Sequence, residues 1–295
     1  MNTSADTILH ITLAEGMVRG LLVTGTETVR EAQRIHQATP VATAALGRML
    51  MGTAMLSAML KDDESSVTVS VDGGGPIGKL LCVGDRESVR GVADACDVTL
   101  PLRPDGKLAV GAAVGNSGRM SVVKDLRMKT PYVGQVELQS GEIAEDFAHY
   151  FLTSEQSPSL VSLGVLIAEN TVLSAGGILL QPLPGCPEDI IDQLELRSPL
   201  FSEISRELAH DPMEELMKAW FQGLNPVILE KTPLRYECRC SRGRMEKALI
   251  ALGREELSAM IQDEIDGADL HCHFCRTSHH FSTQELLRLL NRASS

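Results

Sequence analysis

VATAALGRMLMGTAMLSAML, residues 41–60, is the stretch on which the fold turns. It is long and apolar enough to span a bilayer. Arg48 nevertheless stands near its middle, and a mid-bilayer arginine costs about 2.5–3.5 kcal/mol even on the insertion scale. Gly47, Gly52 and several alanines suit close packing against protein instead. A helix buried inside a soluble domain is therefore expected, opened by Pro40.

The sequence upstream alternates like a strand from Ile8 to Leu22, and ETVREAQRIHQATP (27–40) then reads as a helix that Pro40 stops. Downstream come strand-like runs: SSVTVSVDG (65–73), IGKLLCVGD (77–85), VRGVADA (89–95), GRMSVVKDL (118–126) and YVGQVELQS (132–140). Turn clusters at Asp72–Pro76 and Pro104–Gly106 separate them. Ser140–Ser154 reads as a helix with Glu142, Glu145 and Asp146 at its positive end. SLVSLGVLIAEN (159–170) and TVLSAGGILLQ (171–181) close an N-terminal mixed α/β domain over 1–180.

From 181 to 231 the pattern changes to short capped helices. Ile190, Ile191 and Leu194 share one face, and Leu200, Ile204 and Leu208 are spaced as a second helix. The third takes Asp211 as N-cap, Pro212 at its first position and Gly223 past its end. Its Met213, Leu216, Met217, Trp220 and Phe221 form one apolar stripe. Helices this short must lie on something, so domain packing is the plain reading of the stripe.

Residues 232–295 read as a small domain. Two helices, Ser241–Leu252 and about Glu255–Ile261, lie between Cys238-Arg-Cys240 and Cys272-His-Phe-Cys275. Ser282 and Glu285 form a capping box for a closing helix with Leu286, Leu287, Leu289 and Leu290. So small a core needs a staple, and two tight cysteine pairs are the ligand pattern of a tetrahedral zinc site. Cys238, Cys240, Cys272 and Cys275 are the expected ligands of one Zn2+, with His271, His273, His279 and His280 as bystanders. Such a site is by default structural. Its thiolates are also what oxidants attack, so a redox switch stays open beside the staple. Cys82 and Cys96 read as ordinary buried thiols.

The 295 residues are 43% hydrophobic and 22% charged, in the range of a soluble globular protein. A net charge of −12 argues against a nucleic-acid partner bound through its phosphates. MNTSADTILHITLAEG has no basic segment followed by an apolar one, so no secretory signal or membrane partner is expected. A cytoplasmic protein that keeps its thiols reduced is the expectation. No Gly-x-x-x-x-Gly-Lys motif is present. A thiol–disulfide oxidoreductase using Cys272 and Cys275 is a rival, weakened by the upstream pair; a zinc-ribbon nucleic-acid binder is opposed by the charge.

The chain resembles the redox-regulated 33-kDa heat-shock chaperones of bacteria, the 33 kDa chaperonins, over nearly its whole length. The likeness runs through HQATPVATAALGRMLMGTAMLSAMLK (36–61), GGGPIGKL (73–80), VKDLRMKTPYVGQVELQSGEIAEDFAHYF (123–151) and SEQSPSLVSLGVLI (154–167). It continues through AGGILLQPLPG (175–185), CRCSRGRMEKALIALGREEL (238–257) and CHFC (272–275). The resemblance implies an α+β protein: a core domain with a buried apolar helix, a metastable helical linker and a zinc domain. It implies an ATP-independent holdase rather than an enzyme, activated by oxidation with zinc release. The partners implied are unfolded or oxidatively damaged proteins, with a homodimer when oxidised. The disulfides implied are Cys238–Cys240 and Cys272–Cys275, with the apolar stripe of the linker as client surface. Many relatives have Tyr where His279 stands, and an acidic residue is common at Gly243.

Overall fold

The structure is a computed structural model that describes residues 5–263 and 267–293. The chain forms two compact units, Met1–Glu237 and Cys238–Ser295. In the first, β1 (Thr7–Leu13) and β2 (Val18–Thr24) make a hairpin, followed by α1 (Thr26–His36) and α2 (Pro40–Ala58). Then come β3 (Ser66–Asp72), β4 (Leu80–Gly84), β5 (Ser88–Ala93), α3 (Val110–Val114), β6 (Arg119–Asp125) and β7 (Tyr132–Glu137). α4 (Ala144–Thr153), β8 (Leu160–Ala168) and β9 (Thr171–Pro182) follow. α5 (Glu188–Phe201), α6 (Ile204–Leu208), α7 (Met213–Trp220), β10 (Val227–Pro233) and β11 (Arg235–Tyr236) complete the unit.

Two sheets enclose α2. One has the order β10-β1-β2-β9-β8, the other β11-β5-β4-β3-β6-β7, antiparallel except for the parallel β11–β5 pair. α2 packs on β8 and β9 of the first sheet and on β3, β4 and β5 of the second. Every residue from Val41 to Ala58 except Arg48 is buried, so the apolar stretch is a core helix. Arg48 reaches Glu142, donating to its carboxylate at 2.6 Å and to its carbonyl at 3.1 Å. That pairing is how a charge is tolerated on this helix.

The Phe147 ring of α4 lies directly on Gly52, where an added Cβ would stand 2.2 Å from it. Gly52→Ala is therefore expected to overpack the core and cost about 1–3 kcal/mol or more. A thermal melt checks this, and a midpoint equal to the parent's would contradict the packing described.

The five-stranded sheet is buried on both faces. Ile8, Leu21, Val23 and Leu179 point into the core around α2. Leu9, Ile11, Leu13, Leu22, Ile178 and Leu180 belong to a second core, shared with α5–α7. That alternation is the period-two pattern of a strand covered on each side.

Several local expectations need correction. The helix expected from Ser140 begins at Ala144, because Gly141 and Ile143 have positive φ (71° and 72°) and break it. The buried Asp146 carboxylate accepts the freed N–H groups of Gln139, Ser140 and Ile143. The helix expected through Leu200, Ile204 and Leu208 is divided: Pro199 lies inside α5, which ends at Phe201, and α6 takes the other two. α7 is capped by Pro212 in an extended conformation rather than by Asp211. The stretch read as helical from 181 to 231 also enters β10, which pairs with β1.

In the second unit α8 (Arg242–Leu252) and α9 (Arg254–Asp263) precede the hairpin of β12 (Ala268–His271) and β13 (Ser278–Phe281), and α10 (Thr283–Leu290) closes it. Gly253 ends α8, and the Ser282–Glu285 box opens α10, both as the sequence predicts.

Candidate metal centre

Cys272 and Cys275 sit at the tip of the β12–β13 hairpin. The knuckle is closed by Cys272 N–H donating to Thr277 O at 2.9 Å and Arg276 N–H donating to Cys272 O at 2.8 Å, with Arg276 at φ 59°. Cys238 and Cys240 come from the extended stretch before α8. Ser241 caps that helix, its hydroxyl accepting from Arg244 N–H at 3.3 Å. Arg242, the first residue of α8, fastens the stretch to the hairpin. Its guanidinium donates to His280 O at 2.7 Å and Glu285 Oε1 at 2.6 Å, and lies 4.3 Å from the Phe281 ring centre.

All four sulfurs lie within 4.8 Å of one another, with Cys238 Sγ 3.5 Å from Cys272 Sγ and Cys240 Sγ 3.3 Å from Cys275 Sγ. Thiolates about 2.3 Å from a central ion stand about 3.8 Å apart in a tetrahedron. The donor set and its spacing therefore fit one metal ion. Cys272 is buried and the other three are half-buried.

The electrostatics point the same way. Burial pushes the Cys238 thiol up to about 11, with the neighbouring Cys272 adding to it. Cys240 is raised by burial and by the thiols of Cys275 and Cys238. Burial also opposes ionisation of Cys275, but hydrogen bonds from Thr277, Cys240 and Cys272 outweigh it and bring this thiol to about 7. Without a cation, burial and neighbouring thiols disfavour ionising Cys238 and Cys240, whereas Cys275 gives up its proton more readily. A divalent cation among them is what would let all four ionise.

No histidine joins the group of potential ligands among the described residues. His271 and His273 are exposed, and His280 Nδ1 is 3.0 Å from Asp269 Oδ1. His279 is half-buried, with Nε2 covered and without a hydrogen-bond partner among the described residues. Cys82 is fully buried, and burial raises its thiol well above the usual range. Thr277 is the residue that the cysteine spacing alone did not single out. Its hydroxyl lies 3.2 Å from Cys275 Sγ.

Upstream, the apolar stripe of α7 is covered rather than displayed. Met213, Leu216, Met217, Trp220 and Phe221 are all buried against the outer face of the five-stranded sheet. Phe201 anchors the group, edge-on to Trp220 with centroids 5.6 Å apart and tilted against Phe221 at 5.6 Å. Hydroxyls of the sheet catch the backbone of α5 and α6: Ser162 donates to Phe201 O at 2.6 Å, and Ser174 donates to Ser205 O. Ion pairs Lys107–Glu203 and Lys231–Glu214, both 2.6 Å, are partly exposed and add little.

A family model described as Hsp33 protein matches residues 6–282. The chain is 41% identical over 290 residues to the 33 kDa chaperonin of Desulforamulus reducens, covering 97% of this chain and 98% of that protein. It is 42% identical over 283 residues to the 33 kDa chaperonin of Bacillus licheniformis, covering 95% and 97%. The crystal structure of the 33 kDa chaperonin (heat shock protein 33 homolog) from Thermotoga maritima superposes with a TM-score of 0.89 at 33% identity, covering 98% of this chain and 99% of that one. With a full-length match, a shared fold and a four-cysteine cluster suited to redox-regulated zinc binding, the chain belongs to the Hsp33 family of chaperones.

Proposed function

We propose that this chain is a cytoplasmic, ATP-independent holdase, held inactive by one Zn2+ on Cys238, Cys240, Cys272 and Cys275 and activated by oxidation of those cysteines. The observation that carries this reading is the juxtaposition in sequence of two features: a four-sulfur cluster, and, just upstream, a helical segment whose whole apolar stripe is buried on a sheet. Zinc, when bound, supplies the charge that keeps four thiolates together and the clamp that a small core needs.

Peroxide would take two electrons from each pair of thiolates and, with two protons from solvent, leave as two waters, joining Cys238 to Cys240 and Cys272 to Cys275 and releasing the zinc ion. Sulfurs bonded to each other no longer serve as ligands, and the second unit loses its staple. The linker helices, too short to stand alone, would follow. Met213, Leu216, Met217, Trp220 and Phe221 then become the exposed, Met-rich surface suited to varied non-native chains. Newly exposed apolar area also favours a homodimer of the oxidised form. Nucleic acid, membrane and catalysis have no part in this reading.

Light scattering from thermally unfolding citrate synthase tests it. The peroxide-treated protein is expected to suppress aggregation without ATP, and the reduced, zinc-loaded protein to do so poorly. Equal suppression by both forms would overturn the redox dependence.

A further inference from the structure

Thr277 stands between the cysteine knuckle and β13, and its main chain is engaged in closing the knuckle. Its carbonyl accepts from Cys272 N–H at 2.9 Å, and its own N–H is turned to the Cys275 sulfur. The left-handed turn at Arg276, φ 59°, folds the chain back sharply enough to allow this. With the main chain so placed, the Thr277 hydroxyl oxygen comes to 3.2 Å from Cys275 Sγ. Cys275 is half-buried, hence open to a small oxidant, and Thr277 is exposed beside it.

A sulfur that ligates zinc is a thiolate and carries no proton. Between that sulfur and the hydroxyl, only Thr277 has a proton to donate. A hydrogen bond to a charged acceptor is stronger than one between neutral groups. It holds the charge that the sulfur needs when it attacks an electrophile. In free-energy terms, the loss of nucleophilic reactivity is somewhat under half of the stabilisation. Partners of this kind around a metal tune its ligands as well as orient them.

We propose that Thr277 sets the oxidant threshold of the sulfur cluster: its hydroxyl, donating to the zinc-bound Cys275 thiolate, slows the attack of that sulfur on peroxide. In the restrained step Cys275 Sγ bonds to one peroxide oxygen, the O–O bond breaks, and the other oxygen leaves as hydroxide, which solvent protonates to water. The Cys272 thiolate then attacks the resulting sulfenic acid, forming the disulfide and expelling a second hydroxide, which solvent also protonates. Two thiolates, one peroxide and two protons thus give one disulfide and two waters. That the restraint acts as a threshold for activation rests on the holdase reading. The hold of the hydroxyl on Cys275 does not.

Thr277→Val tests this, because it replaces the hydroxyl by a methyl of similar size and keeps the N–H and carbonyl in place. The reduced, zinc-loaded full chain is challenged separately with iodoacetamide and with peroxide. Initial alkylation of each of the four cysteines is read by peptide mass spectrometry, and zinc release by a coloured chelator. In Thr277→Val, alkylation of Cys275 and peroxide-driven zinc release are expected to be about three- to tenfold faster than in the parent. Thr277→Ser, which keeps the hydroxyl, is expected to match the parent. An unchanged or slower Cys275 in a folded Thr277→Val variant would overturn the proposal, as would Thr277→Ser reacting as fast as Thr277→Val. So would equal acceleration at all four cysteines, the mark of a loosened cluster rather than of one released sulfur. Should Thr277→Val fold poorly by thermal melt, Thr277→Ala against Thr277→Ser decides the matter on the same readouts.

Citrate synthase aggregation, run alongside with peroxide-treated protein, separates the two readings. No suppression by the oxidised parent, with Cys275 alkylation still accelerated in Thr277→Val, overturns the holdase and spares the role of Thr277. Suppression by the oxidised parent, with Cys275 equally reactive in parent and variant, does the reverse.

Discussion

Stripping the metal proposed for Cys238, Cys240, Cys272 and Cys275 with a chelator, under reducing conditions, is expected to unfold the second unit and leave the first folded. The second unit buries a core of only seven residues among those described: Leu249, Leu257, Ala268, Phe281, Leu286, Leu289 and Ala293. A module of that size falls short of what a core supplies by itself. Structural zinc contributes on the order of 10–16 kcal/mol at neutral pH, more than such a unit's whole stability. The first unit has the large core around α2 and no such dependence. Hydrogen exchange is expected to show lost protection in α8, β13 and α10, with β2, β9 and α2 unchanged. Full protection of α10 in the metal-free, fully reduced chain would show that the sulfur cluster is not the staple.

The second large effect is expected from Phe201→Ala. Phe201 is fully buried and touches both Trp220 and Phe221, so its ring joins the end of α5 to the end of α7. Emptying it costs about 3–5 kcal/mol by transfer and cavity terms together. That loss falls on short helices with little else to hold them, so local opening rather than global unfolding should absorb it. Trp220 is the single tryptophan of the chain and is buried, and it reports the opening directly. Its emission is expected to shift to the red in the reduced variant, and aggregation suppression should appear without oxidant. A variant whose Trp220 emission and oxidant requirement both match the parent would separate linker packing from activity.

Much of this was legible in the sequence because it is local. Arg48 within an apolar run, with Gly47 and Gly52 beside it, is enough to distinguish a core helix from a membrane span, and α2 is buried as expected. The two cysteine pairs, Gly253 and the Ser282–Glu285 box act over a few residues and stand where they were expected. The apolar stripe of α7 was also legible, but what it covers was not. The outer face of the sheet carries Leu9, Leu22 and Ile178, and the order β10-β1-β2-β9-β8 is set by pairings between distant segments.

The hardest element was β10. Its VILEKTP shows no clean alternation, because the strand lies at an edge with most of its residues exposed. Its partner β1 lies more than two hundred residues away, as the Thr232 to Ile8 hydrogen bond shows. The helix boundaries that moved, at Ala144, Ile204 and Met213, moved where positive φ or proline decides the local geometry. Thr277 was invisible for a different reason. A threonine after a cysteine knuckle acquires its role only once the hairpin brings its hydroxyl to Cys275.

The central claim is that disassembly of the four-sulfur cluster is the signal that frees the linker. Following zinc release, free thiols, Trp220 emission and citrate synthase aggregation together during peroxide treatment tests it most directly. The account predicts that four thiols and one zinc are lost first, that Trp220 then becomes exposed, and that suppression of aggregation rises with that exposure. Zinc and thiol loss with Trp220 still buried and no gain in suppression would contradict it, and would return Cys238, Cys240, Cys272 and Cys275 to a purely structural role.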